Sequence, residues 1–295
     1  MYGPLQFGFR PGASAAHAHI ALHDFVTRCL DSRGTNAVLL ISFDMEKAFN
    51  KLNYSALFKS LANGRIPKRC LQWMMNYFMH RKQRVILKHN VFSDLLDVTS
   101  GVPQGSVLGP FLFAAHLGSF TAVSQFATAF KYADDIIIAC PIQRRSSCEA
   151  MFSAEMAHMN SWCSSDGLSL NSNKTKTMLV GNVFSPIGDI CSFECGSLRF
   201  LGMTFNKTLK WDDHIHRTCK LASSRLRMIR ILRNHLNSHE LRMVYFACVR
   251  SLHEYSSEVF VGLNGKNSSR LERLNKRAHR LICGESCRDA PCFLL

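Results

Sequence analysis

Tyr132-Ala133-Asp134-Asp135 (YADD, 132–135) lies between Phe130-Lys131 and the apolar run Ile136-Ile137-Ile138-Ala139. Both flanks read as buried strands, which makes YADD the tip of a hairpin. Side chains alternate faces along a strand, so two adjacent carboxylates fit there only if the chain turns. A second apolar run, Ala37–Phe43 (AVLLISF), ends in a third carboxylate, Asp44. That run is short and nearly continuous, as in a strand covered on both faces. If the two strands are neighbours in one sheet, Asp44, Asp134 and Asp135 meet at its rim. Taken alone, Asp44 also reads as a helix N-cap, because the residues from Glu46 onward look helical.

Clustered carboxylates repel one another unless a cation neutralises them, and hard oxygen ligands suit Mg2+. Two such ions about 3.5–4 Å apart can activate a hydroxyl, stabilise a transferring phosphoryl group and hold a leaving pyrophosphate. Charge points the same way. The 295 residues carry 36 Lys and Arg against 21 Asp and Glu, a formal net charge of +15. Of this surplus, +9 falls in residues 200–295, which hold 17 basic and 8 acidic residues. Such a surface favours a polyanion, nucleic acid before membrane, because neutralised phosphates release condensed counterions. The combination implies nucleotidyl transfer.

Along the chain, residues 46–61 carry a rough helical stripe at 48, 49, 52, 57, 58 and 61, and Pro67 opens a second helix over 67–79. Residues 84–87 and 95–99 read as a strand pair. A glycine-rich loop, 101–110, leads into a buried helix, and the YADD hairpin follows. An amphipathic helix over 143–164 precedes short strands at 169–171 and 177–180 around Lys174. After about residue 207 the pattern turns helical and basic. Ala222, Leu226, Ile229 and Leu236 mark one stripe, and Arg217, Lys220, Arg225, Arg227, Arg230 and Arg233 come with no acidic residue between His214 and His239. Further helical patterns span 239–260 and 268–283, so a helical module follows an α+β module.

Val98–Phe130 lacks any Asp, Glu, Lys or Arg, but Pro103, Gln104, Pro110, His116 and Gln125 interrupt it, and no membrane span is expected. Met1-Tyr2-Gly3-Pro4 has neither a basic nor an apolar leader region, so an intracellular protein, nuclear or cytoplasmic and with no visible targeting signal, is expected. Its twelve cysteines then read as reduced thiols. His279, Cys283, Cys287 and Cys292 cluster near the end, without the Cys-x2-Cys knuckle that zinc sites favour.

Six stretches, in order, resemble the reverse transcriptases of non-LTR (LINE-type) retrotransposons. QFGFRPGAS (6–14) is similar to the family's fingers-to-palm motif, and FDMEKAFN (43–50) to the motif of the first catalytic aspartate. TSGVPQGSVLGPFLF (99–113) resembles the nucleotide- and template-contacting motif, and YADD the metal-binding hairpin. GLSLNSNKTK (167–176) is similar to the lysine loop and FLG (200–202) to the primer-grip hairpin. The resemblance implies an α+β fold, a right-hand polymerase palm of antiparallel sheet and helices with partial fingers and a helical thumb. It divides the chain into a fingers segment (1–36), a palm including the primer-grip hairpin (37–206) and a basic thumb with C-terminal extension (207–295).

The resemblance also implies RNA-directed DNA polymerase activity with two Mg2+, or Mn2+ in their place, acting on an RNA template, a DNA primer and deoxynucleoside triphosphates. Asp44 and Asp134 become metal ligands and Asp135 the third carboxylate. Arg10, Phe49, Gln104, Gly105 and Lys174 become nucleotide- or template-binding residues, with Phe49 under the sugar, where it excludes a 2′-hydroxyl, and Lys174 as a proton donor near the pyrophosphate. Gly105, lacking a side chain, would let the backbone approach the nascent base pair. Phe200, Leu201 and Gly202 become the primer grip, and the six basic residues over 217–233 contact the nucleic-acid backbone. Three departures qualify this. Asn50 stands where the family usually has aspartate, and HLGSF (116–120) replaces an asparagine-aspartate pair. Only five residues precede Gln6, so the upstream fingers strands and the endonuclease domain are absent from this sequence, as in a truncated element copy. The alternative reading is a catalytically weak or inactive nucleic-acid-binding remnant.

Overall fold

A computed structural model describes residues 3, 5–64, 66–143, 147–181, 194–260 and 262–284. The chain divides into two compact units, 1–195 and 196–295.

The first unit is built on a four-stranded antiparallel sheet in the order β4-β5-β1-β6. Helix α1 (Ala15–Asp31) starts at Ser14, whose side chain accepts from the His17 amide. Central strand β1 (Thr35–Phe43) follows, then short helices α2 (Ala48–Lys51) and α3 (Tyr54–Ala62), and α4 (Lys68–Phe78). The helix expected over 46–61 is therefore two. Asn53 caps α3 through the Ser55 amide, and the Leu52 carbonyl is taken by the Gly101 amide instead of by a continuing helix. The strand pair expected at 84–87 and 95–99 shrinks to β2 (Lys82–Gln83) and β3 (Leu96–Asp97). Beyond them come α5 (Leu108–Leu117), β4 (Thr128–Tyr132), β5 (Asp135–Gln143), α6 (Cys148–Ser165) and β6 (Lys176–Gly181).

Alternation along β1 explains its nearly continuous apolar run. Ala37, Leu39, Ile41 and Phe43 join the core shared with α3, α5 and α6, while the equally buried Val38 and Leu40 face the other way. Helix α1 packs on β1, β4 and β5, with Phe25 edge-on to Phe130 at 5.6 Å. The outer edge of β4 is covered by the segment 5–7, whose Phe7 amide donates to Lys131 while Lys131 donates to Leu5.

In the second unit, hairpin β7 (Ser197–Phe200) and β8 (Met203–Asn206) precedes α7 (Asp212–Leu232), α8 (Ser238–Tyr245), α9 (Ser251–Glu254) and α10 (Gly265–Cys283). Ala222, Leu226 and Ile229 of α7 meet Leu241, Tyr245, Leu274 and Ala278 in its core. The hairpin packs on α7 within this unit, 196–295. Among the described residues, no helix is long and apolar enough to cross a membrane.

Candidate active site

Antiparallel pairing brings the three carboxylates to one rim. Phe43 of β1 pairs with Ile136 of β5, so Asp44, the next residue of one strand, comes level with Asp135, the first residue of the other. Across β4, Tyr132 pairs with Asp135, and Ala133 (φ +53°) and Asp134 make the turn. Asp44 caps no helix, because α2 begins after Lys47 in a left-handed conformation with no side-chain cap. Its carbonyl accepts from the Asn171 amide at 2.9 Å, and the Lys174 amide in turn donates to Asn171. This turn sets Lys174 over the site, with Nζ 3.3 Å from Asp44 Oδ1 and 3.5 Å from Oδ2.

The electrostatics report the crowding. The carboxyl of Asp135, although its residue reaches solvent, is pushed up to about 6 by desolvation, then by the charges of Asp134 and Asp44, with Lys174 opposing. The three carboxylates are hard-oxygen donors of the kind a divalent cation takes, and the Lys174 ammonium is paired with Asp44 among them. Among the described residues, no grouping of three or more His, Cys, Asp and Glu, these aspartates included, has its side chains drawn together in metal-binding geometry. Of the terminal cluster, His279 and Cys283 lie on α10, whereas Cys287 and Cys292 lie outside the described residues.

Phe49 is half-buried and stacks on the fully buried Phe113, centroids 4.2 Å apart at 23°. Gln104 donates from Nε2 to Asn50 Oδ1 at 2.9 Å, so the residue replacing the family's aspartate ties two motifs together. Gly105 is exposed at φ +78° with open space where a Cβ would stand. The tight glycine is Gly101, at φ +81°, where a Cβ would come within 2.6–2.8 Å of Asn50 and Phe49 backbone atoms. Its neighbour Val102 donates to the Phe49 carbonyl at 2.7 Å. Arg10 is exposed and lines a groove with Phe7, His17 and Asp24. His116, within HLGSF, is buried and structural, its Nε2 3.0 Å from Asp166 Oδ2 and its Nδ1 3.1 Å from Ser60 Oγ.

In the second unit, Phe200, Leu201 and Gly202 form the β7–β8 turn, with Leu201 at φ +43°. Arg217, Lys220, Arg227, Arg230 and Arg233 are exposed. Arg225 differs. It is half-buried, and its guanidinium donates to the Cys248 carbonyl inside the unit, a bond its sequence position on an amphipathic helix does not announce.

Residues 1–205 match the family described as reverse transcriptase (RNA-dependent DNA polymerase). The chain is 25% identical over 307 residues to a probable RNA-directed DNA polymerase from transposon BS of Drosophila melanogaster, covering 98% of this chain and 33% of that relative. It is 26% identical to a putative 115 kDa protein in type-1 retrotransposable element R1DM of the same organism, covering 76% of this chain and 21% of the relative. It thus spans a third or less of these relatives' length. Among solved structures, it is similar to telomerase from Candida albicans in complex with a fragment of telomeric RNA, with TM-score 0.53 and 12% identity over 98% of this chain and 54% of that one. Apo telomerase from Candida tropicalis gives 0.52 and 17% over 70% and 40%.

Proposed function

Because the chain belongs to the reverse transcriptase (RNA-dependent DNA polymerase) family, we propose that its rim of carboxylates adds deoxynucleotides to a primer 3′-hydroxyl on an RNA template. The observation that carries this reading is the convergence of Asp44, Asp134 and Asp135, from strands about ninety residues apart in sequence, at one end of the sheet. Asp44 and Asp134 would hold two divalent cations, with Asp135 supporting them. Bound there, the cations supply Lewis-acid activation of the hydroxyl and charge neutralisation at the phosphates. Lys174, paired with Asp44, would stand beside the leaving pyrophosphate and give it a proton. Phe49, braced by Phe113, would meet the sugar and reject a 2′-hydroxyl by clash. Gln104, held by Asn50, would face the nascent base pair beside Gly105, with Arg10 contributing on the template side. The Phe200–Gly202 turn would grip the primer.

Primer extension on a defined RNA template, with and without Mg2+, tests the reading. Asp134→Asn should abolish extension and leave the melting temperature equal or higher, since it removes one of the charges crowding Asp135. A variant that extends at the wild-type rate removes Asp134 from the chemistry. Duplex binding by a wild-type protein that never extends identifies the non-catalytic remnant.

A further inference from the structure

Phe9 sits in an unusual backbone state for its size. It adopts φ +57°, the left-handed region, where a bulky residue is strained, and it leaves 44% of its surface exposed. Strain of this kind persists only where surrounding structure over-determines it. Here the determinants are visible. The Gln6 side chain is fully buried and donates from Nε2 to the Gly8 carbonyl at 3.1 Å, closing the bend. Gly8 is pressed against the YADD turn so closely that a Cβ would lie 2.3 Å from the Ala133 amide nitrogen. Phe9 emerges from that bend edge-on to Phe49, centroids 6.2 Å apart at 88°.

Phe49 is therefore held from two directions, stacked on Phe113 and met by Phe9. Phe113 is core, but Phe9 hangs from a segment fixed to the catalytic turn itself. We propose that Phe9 is a positioning residue for sugar selection, fixing the rotamer of Phe49 so that its ring stays in the path of a 2′-hydroxyl. The inference rests on the polymerase reading and names a specificity determinant within it. Discrimination by clash is only as sharp as the clashing group is immobile, because a ring that can swing away admits the wrong sugar.

The test measures ribonucleotide against deoxynucleotide incorporation efficiency for wild type, Phe9→Ala, Phe9→Tyr, Phe49→Val and the double variant Phe9→Ala/Phe49→Val. Trapping of each nucleotide on a chain-terminated primer–template provides a second readout. Phe9→Ala should raise the ratio in favour of ribonucleotides by about three- to tenfold, the scale of one edge-to-face aromatic pair. Phe9→Tyr, which keeps the ring, should stay near wild type. In the Phe49→Val background the Phe9→Ala effect should vanish, because residues acting through one another are not additive. An unmoved ratio in Phe9→Ala, or an effect of equal size in both backgrounds, overturns the inference alone. A ratio that fails to move in Phe49→Val removes the gate on which Phe9 acts. A wild-type protein that neither extends nor traps nucleotide overturns the polymerase reading and this inference with it.

Discussion

Lys131, one residue ahead of the YADD turn, is 1% exposed, and its ammonium donates to the carbonyls of Leu117 at 3.2 Å and Phe120 at 2.8 Å. These carbonyls lie at and just beyond the end of α5, where a helix leaves acceptors unpaired and favours a cation. Burial nevertheless pushes the lysine down to about 8. Below that value Lys131 is protonated folded and unfolded, and the cost of burying its charge stands in full. Above the unfolded value of about 10.4 that cost is gone. Wild-type stability should therefore rise relative to Lys131→Met between pH 8 and 10.4, by up to about 3 kcal/mol, in paired thermal melts. Equal curves across that window would show the charge to be well solvated. The sequence did not reveal this role, because a lysine in FKYADD looks like an edge residue until the end of α5 is known to lie against it. The strand-end placement of Asp44, Asp134 and Asp135 was legible, since apolar runs ending in carboxylates carry their strand ends with them. Gly101 could have been found as a left-handed glycine in a loop, but nothing in its spacing says that Phe49 and Asn50 press on it.

Strands and long amphipathic helices were the legible elements, and interruptions were not. The periodicity over 46–61 runs through both α2 and α3, and the break between them depends on Gly101, some fifty residues away. Helix α1 was missed although Ser14 caps it and Ala18, Leu22 and Val26 recur at helical spacing on its buried side. The β7–β8 hairpin was expected from FLG, but its support was invisible. Tyr255 Oη donates to the Leu201 carbonyl at 2.6 Å, and its ring lies 3.3–3.7 Å from where a Gly202 Cβ would stand. Tyr255→Phe keeps the ring and removes that bond, at a cost of about 1 kcal/mol. It should raise KM for primer–template and leave KM for deoxynucleotide unchanged. Parallel changes in both constants would show that the turn has no special part in holding the primer.

At the scale of the whole molecule, charge is the most readable property and its distribution the more useful one. With Arg225 turned inward, five exposed basic residues remain over 217–233. If they meet phosphates, Arg227→Gln with Arg230→Gln should weaken unrelated duplexes alike and flatten the salt slope by roughly one unit per lost contact. An unchanged slope in binding titrations across salt would mark a merely solvated face.

The order of the sheet bears on how the chain comes into being. Strand β1 lies between β5 and β6, so its partners, residues 135–143 and 176–181, are synthesised long after it. At a ribosomal pace of about 5–20 residues per second, the apolar run Ala37–Phe43 waits roughly five to twenty seconds for its first neighbour. Non-local pairing of this kind is slow to nucleate even after the partners arrive. Throughout that wait the nascent chain offers an unpaired, largely apolar strand to other nascent chains and to chaperones, so the yield of folded protein is decided in competition with aggregation before any carboxylate has reached the rim.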